Sequence, residues 1–121
     1  MASSDKPCST LNLEHSGLHP ADLHAISEWA SGIEQIKEVW LYGSRARGAH
    51  RADSDIDLAI VTTGSSEQER YSAYLLYRHC WPEPAVAHPV DLNWYDPEAA
   101  DLEYVGPGVR RDGIRLYSRL E

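Results

Sequence analysis

The chain has 121 residues, of which 42% are hydrophobic, and a formal net charge of −8. This length supports one hydrophobic core and excludes two ordinary domains. The acidic balance argues against direct nucleic-acid binding, which favours a basic surface. No apolar stretch reaches membrane-spanning length and the polar N-terminus lacks the core of a signal peptide, so we expect a cytoplasmic protein with no membrane contact. Cys8 and Cys80 lie far apart in the sequence and are expected to be free thiols.

The predicted elements interleave helices with strands. Residues 1–17 are polar and aperiodic, so we expect a flexible segment, either a loose tail or a short helix, ahead of one domain over 18–121. In chain order the domain contains a helix over 19–32, strands over 36–43 and 54–63, a helix over 65–81, a strand over 88–96, a short helix over 97–105 and an edge strand over 113–120. This order predicts an α/β (α+β) fold, a small mixed β-sheet flanked by helices.

Two predicted helices carry distinct end signals. Ser66 is a candidate cap for the helix over 65–81, because Glu69 follows three residues later as in a capping box. The helix over 97–105 is expected to break at the Gly-Pro-Gly sequence of 106–108, since glycine and proline are poor helix formers.

Charged residues are concentrated in the segment 41–61, which contains three arginines and three aspartates. Asp55 and Asp57 lie two residues apart in a predicted strand, so both side chains point to one face, about 7 Å apart along the chain. Two carboxylates on one face repel each other unless a cation lies between them, and Mg²⁺ or Mn²⁺ prefers such oxygen ligands. Asp91 lies inside an apolar strand. If that strand neighbours the first pair, three carboxylates meet in an arrangement suited to two-metal phosphoryl chemistry.

The Gly-Ser turn ahead of these acids has the features of a phosphate site. Gly43 permits a sharp bend and close backbone approach. Ser44 begins a short helical turn whose N–H groups attract phosphate oxygens. Arg45 and Arg47 do not share a face of that turn. One of them could reach phosphate while the other braces the loop, and the sequence leaves open which; Arg45 and Arg51 are expected to be solvated or to form bridges.

Together these residues resemble the minimal nucleotidyltransferase (MNT) family of the DNA polymerase β-type superfamily, in particular its antitoxin branch. Every fixed position of the family pattern GSxARGxxxxxSDxDL is matched from Gly43 to Leu58. The resemblance implies that Asp55, Asp57 and Asp91 are catalytic metal ligands. Asp91 would ligate the ion nearest the acceptor. It further implies that the nucleotide is bound by Gly43, Ser44 and Arg47.

The function implied by the resemblance is metal-dependent transfer of NMP, AMP from ATP, to a hydroxyl acceptor. In the antitoxin branch that acceptor is a tyrosine of a partner HEPN toxin, which makes the protein a type VII-like antitoxin. Two alternatives remain open: a homodimeric enzyme that modifies the hydroxyl of a small molecule such as an antibiotic, and a catalytically inactive module that binds a partner through its surface.

Simpler interpretations of the same residues also remain. Asp55 and Asp57 could be solvated acids at a strand edge, and Asp91 a surface acid or ion-pair partner. His15, His19 and His24 are interpreted as surface histidines, because Pro20 interrupts the spacing that would align them on a metal. The aromatic residues are predicted to lie in the core or an interface: Trp29, Trp40, Tyr74, Tyr77 and Trp94. Part of the helix over 65–81 could equally be a partner surface, namely Tyr71, Tyr74, Leu75 and Arg78.

Overall fold

A computed structural model describes residues 17–49, 54–80, 89–98 and 105–119. Nearly all of the expected flexible segment 1–17 lies outside these ranges, as does most of the expected short helix over 97–105. Arg51, Cys8 and His15 lie outside them too.

The described residues form a four-stranded sheet with helices on both faces. The strands are β1 (Ile36–Tyr42), β2 (Ile56–Thr62), β3 (Val90–Trp94) and β4 (Ile114–Ser118). The helices are α1 (Pro20–Ser31), α2 (Ser44–Arg47), α3 (Glu67–Tyr77), which continues as a 3₁₀ turn over Arg78–Cys80, and α4 (Val105–Asp112). None of the helices in the described ranges is long and apolar enough to span a membrane.

The sheet is mixed, as the sequence predicted. Its strand order is β3-β2-β1-β4. β1 pairs antiparallel with both β2 and β4, whereas β2 pairs parallel with β3. A parallel pair needs a crossover between its strands, and α3 supplies it. The predicted fold class is therefore confirmed, with β4 at an edge.

Alternation along β2 divides the core into two layers. Ile56, Leu58 and Ile60 are buried on the face that packs against α1 and α3. Ala59 and Val61 point to the opposite face, where they form a second buried cluster with Tyr42 and residues of α4. Asp57 shares this second face, because side chains two residues apart on a strand point the same way. Asp57 is thus on the face of the sheet that α4 covers.

The predicted cap of α3 is confirmed. The Ser66 side chain accepts a hydrogen bond from the Glu69 backbone N–H at 3.2 Å. The Glu69 carboxylate accepts instead from Ser65, from both its backbone N–H and its hydroxyl at 2.9 Å. Three donors near the start of α3 are thereby satisfied by side chains.

The prediction that Gly-Pro-Gly breaks a helix is wrong, because α4 begins at Val105 and runs through this sequence. Pro107 is the third residue of the helix, so its missing N–H falls among the four that have no intrahelical acceptor. Gly108 faces the Tyr42 ring, and a Cβ built on it would lie 3.4 Å from Tyr42 Cδ2. Packing against the sheet therefore outweighs the weak helix propensity of these residues.

Candidate active site

The carboxylates at the centre of the site come from two neighbouring strands. In the parallel pairing of β2 with β3, Asp57 is directly opposite Asp91. Burial, then the nearby Asp91 and Asp55 carboxylates, raise the pKa of Asp57 above its ordinary value of 3.8. Asp55 and Asp91 are exposed, whereas Asp57 is half-buried. The structure thus brings the three predicted acids together, with Asp57 in the middle.

The Asp91 carboxylate contacts one neighbour on β3. Asn93 lies two residues further on the same face, and its Nδ2 is 3.4 Å from Asp91 Oδ2 and 2.8 Å from the Tyr42 hydroxyl. Tyr42 belongs to the cluster on the Asp57 face of the sheet. The Asp91 carboxylate therefore lies on that face rather than on the α1 and α3 side.

The Gly-Ser turn meets these acids at the end of β1. Gly43 has φ 82° and ψ −156°, and a Cβ built on it would lie 2.5 Å from Asp57 Oδ2. Only glycine combines this conformation with so close an approach. α2 follows at once, so Ser44 is the first residue of a helical turn beside the Asp57 carboxylate. The residues predicted to bind phosphate and those predicted to bind metal are adjacent.

The two arginines of α2 have different environments. Arg45 is only 2% exposed, and its Nε and Nη2 donate to the Ser54 carbonyl at 3.2 and 2.9 Å. Arg45 therefore braces the backbone directly before Asp55, and its guanidinium is buried rather than solvated. The Arg47 side chain is 43% exposed, and its Nη1 is 3.7 Å from Asp112 Oδ2 at the end of α4. Of the two, Arg47 is the one directed toward solvent.

The donor chemistry suits a divalent cation, although the side chains do not form a closed cage. In the described ranges, no group of three or more His, Cys, Asp or Glu side chains is arranged to hold a metal ion. Hard divalent ions often use one or two carboxylates and complete their shell with water and phosphate oxygens. Burial and, after it, repulsion from Asp91 and Asp55 raise the pKa of Asp57, and a cation among these carboxylates would offset the repulsion. These side chains are the ones that would hold it.

Other predicted residues have simpler environments. His19 and His24 are exposed, and His24 Nε2 is 3.6 Å from Glu28, which is itself exposed. Trp29 and Trp94 pack against the core cluster beneath α1 and α3. Cys80 is a free, exposed thiol.

Sequence reasoning missed three residues around the site. Tyr42 and Asn93 contact each other although 51 positions separate them, and neither belongs to a motif around Asp91. Asp112 is the last residue of α4, where we expected the Gly-Pro-Gly sequence to prevent a helix. In the sequence, only the apolar neighbours of Tyr42 in β1 indicate that its ring is buried.

Residues 24–121 match the family model of the polymerase beta nucleotidyltransferases. The match covers most of the chain, which therefore belongs to this family. No curated protein sequence matches the chain.

Solved structures share the fold. A proposed nucleotidyltransferase from Sulfolobus solfataricus is 24% identical with a TM-score of 0.56, over 89% of this chain and 87% of that one. A toxin–antitoxin crystallised with AMP-PNP is 19% identical with a TM-score of 0.51, over 80% of this chain and 73% of that one. A mutant of the toxin–antitoxin MntA-HpeT is also 19% identical, with a TM-score of 0.50 over the same shares. The structural similarity, at identities below 25%, establishes a common fold.

Proposed function

We propose that the protein is a metal-dependent nucleotidyltransferase that transfers NMP, specifically AMP from ATP, to a hydroxyl acceptor. The observation that supports this most is the pairing of Asp57 with Asp91 directly beside the Gly43 turn. Acids that only had to be solvated would not need a glycine at a position where an added Cβ would clash with the Asp57 carboxylate. A triphosphate held at the turn would lie against the carboxylates.

Each residue then has a role in an in-line displacement. The turn at Gly43 and Ser44 binds the triphosphate with its N–H groups and hydroxyl, and Arg47 pairs with phosphate oxygens. Asp91 helps to take the proton of the acceptor hydroxyl. The hydroxyl oxygen forms a bond to the α-phosphorus, and the bond from the α-phosphorus to the oxygen that bridges the α- and β-phosphates breaks. Divalent ions on Asp55, Asp57 and Asp91, when bound, stabilise the attacking and leaving oxygens. Pyrophosphate is the leaving group.

The acceptor that we propose is a tyrosine of a HEPN toxin, with this protein as its antitoxin. Two of the solved structures that share the fold are toxin–antitoxins, and one of them was crystallised with AMP-PNP. The motif from Gly43 to Leu58 supports the same branch. α3 also presents exposed apolar residues, Tyr71, Leu75 and Leu76, while Tyr74 is buried, so a partner surface there would use the first three.

The test uses ATP labelled at either the α- or the γ-phosphate. The protein is incubated with Mg²⁺, the labelled ATP and a candidate HEPN toxin. We expect the α-label on a toxin tyrosine and none from γ-labelled ATP, because the α–β bond is the one that breaks. Asp57→Asn should lower incorporation by at least about 100-fold, since it removes a charge from the metal site. Glu28→Gln, which removes an exposed carboxylate from α1, is the matched control.

Other outcomes point elsewhere. Label that survives Asp57→Asn contradicts the enzymatic proposal. Label on an antibiotic hydroxyl but not on the toxin favours a homodimeric small-molecule enzyme. Toxin that is neutralised equally by wild type and Asp57→Asn, with no label on any acceptor, favours an inactive binding module.

A further inference from the structure

A hydrogen-bonded chain leads from a buried tyrosine of β1 to the third carboxylate of the site. The Asn93 amide Nδ2 lies 2.8 Å from the Tyr42 hydroxyl and 3.4 Å from Asp91 Oδ2. One amide group therefore donates hydrogen bonds to both Tyr42 and Asp91. The contact with Tyr42 is the shorter, so Tyr42 contributes more to the orientation of the amide.

The Tyr42 side chain reaches Asn93 across the central strand. β2 lies between β1 and β3, so the ring of Tyr42 has to pass over it. The residue of β2 paired with Asn93 is Ala59. Ala59 is fully buried in the same cluster as Tyr42. A small side chain at this position leaves room for the ring to cross.

The ring is covered from above by α4. Val105 and Val109 belong to its cluster, and the Gly108 backbone lies close enough that an added Cβ would be 3.4 Å from Tyr42 Cδ2. Only 7% of the Tyr42 surface is exposed. A ring packed on both sides has little freedom to move, so its hydroxyl is a fixed point beside Asn93.

We propose that Tyr42 and Asn93 are positioning residues that orient the Asp91 carboxylate for its metal ion and acceptor. Asp91 is exposed on an edge strand, so without such a contact its carboxylate would be free to rotate. With Oδ2 in contact with the Asn93 amide, the Asp91 carboxylate would be held in the orientation in which it binds an ion. Outer partners of metal ligands act in this way and typically affect metal affinity or activity by about 10–100-fold. This role rests on the proposed function.

The first measurement is cation binding rather than turnover. Mn²⁺ is titrated into the protein with a non-hydrolysable ATP analogue, and free Mn²⁺ is followed by electron paramagnetic resonance. We expect Asn93→Ala to raise the Mn²⁺ dissociation constant by about 10-fold and Tyr42→Phe to raise it by a smaller factor. Tyr95→Phe removes a hydroxyl from the same buried cluster and should leave binding unchanged.

The second measurement separates positioning from a structural role. In the transfer assay Asn93→Ala should lower kcat and leave the KM for ATP nearly unchanged, because Asp91 acts on the acceptor side. The double variant Tyr42→Phe/Asn93→Ala should be no worse than Asn93→Ala, since Tyr42 acts through Asn93. Tyr42→Phe keeps the ring and its packing, so it remains informative if Asn93→Ala folds poorly.

The variant Asp91→Asn separates a failure of the positioning role from a failure of the metal site on which the proposed function rests. If Asp91→Asn weakens Mn²⁺ binding while Asn93→Ala and Tyr42→Phe bind as wild type does, the positioning role is wrong and the proposed function stands. If Asp91→Asn itself binds Mn²⁺ like wild type, the metal assignment fails and the positioning role fails with it. Losses in kcat that multiply in the double variant overturn the chain from Tyr42 through Asn93.

Discussion

At the scale of single residues, Gly43 connects the two halves of the site. Its backbone angles, φ 82° and ψ −156°, belong to a region that residues other than glycine essentially never adopt. The same residue faces the Asp57 carboxylate, where an added Cβ would lie 2.5 Å from Oδ2. Backbone conformation and side-chain space therefore impose the same requirement on one position.

Gly43→Ala should destabilise the protein by about 1–3 kcal/mol and displace Asp57 from its position. Urea unfolding measures the first effect and the transfer assay the second. Gly32→Ala is the control, because Gly32 has φ −81° and an added Cβ would meet nothing closer than 3.6 Å. Equal losses of stability for the two variants would contradict the strain argument.

Part of this site could be predicted from residues and part could not. Gly43, Ser44, Asp55 and Asp57 lie within one short segment, and the two-residue spacing of the aspartates predicts that both point to one face. The sequence could not decide between Arg45 and Arg47, because burial of Arg45 depends on the Ser54 carbonyl folding back onto α2. The partnership of Tyr42 with Asn93 carries no local signal, since it arises from strand order.

At the scale of elements, the start of α3 depends on a charged side chain. The backbone N–H of Ser65, followed by its hydroxyl, donates to the Glu69 carboxylate and lowers the pKa of Glu69 below its ordinary value of 4.5. A carboxyl whose pKa is lower in the folded state stabilises that state above its unfolded pKa. This contribution is lost as the pH falls through the lowered folded value.

Glu69→Gln should therefore be less stable than wild type at neutral pH, and the difference should shrink to nothing in acid. Urea unfolding at a series of pH values measures it. Glu67→Gln removes the same charge from the first turn of α3 without changing the contacts of Ser65. A pH dependence as steep for Glu67→Gln as for Glu69→Gln would show that the helix dipole, rather than the Ser65 contacts, is responsible.

α4 shows why elements are harder to predict than motifs. Its sequence contains two glycines and a proline within four residues, which argues against a helix by propensity. Gly106 and Gly108 are buried, and small residues there let the helix approach the sheet over Tyr42. This reason is visible only once the packed partner is known.

At the scale of the whole molecule, a buried ion pair connects β3 to the crossover. Arg70 of α3 donates from Nε to both carboxylate oxygens of Asp96, at 3.1 and 3.0 Å, two residues after β3 ends. Their side chains are 9% and 3% exposed. Arg70 Nη1 also donates to the Gly64 carbonyl at 3.2 Å, so one side chain joins the ends of β2 and β3 to α3.

Asp96→Ala should lower the free energy of unfolding by about 3–5 kcal/mol, because it leaves a buried guanidinium without its counter-charge. Thermal and urea unfolding measure the loss. Glu98→Ala removes a second acid near Arg70, 3.6 Å away and 65% exposed, and should cost less than about 1 kcal/mol. A loss for Glu98→Ala as large as for Asp96→Ala would mean that burial does not govern the pair.

The strand order has a consequence for how the chain acquires its chemistry. β1, the Gly43 turn and β2 are consecutive, and the two strands pair antiparallel, so contacts of low sequence separation bring together the turn proposed to bind phosphate and the first two acids. Asp91 joins them through the parallel pairing of β3 with β2, which follows a helical crossover and connects residues farther apart in sequence, such as Asp57 and Asp91. The proposed site is therefore complete only when β3 is paired with β2, whereas the Gly43 turn and the first two acids depend on the pairing of β1 with β2.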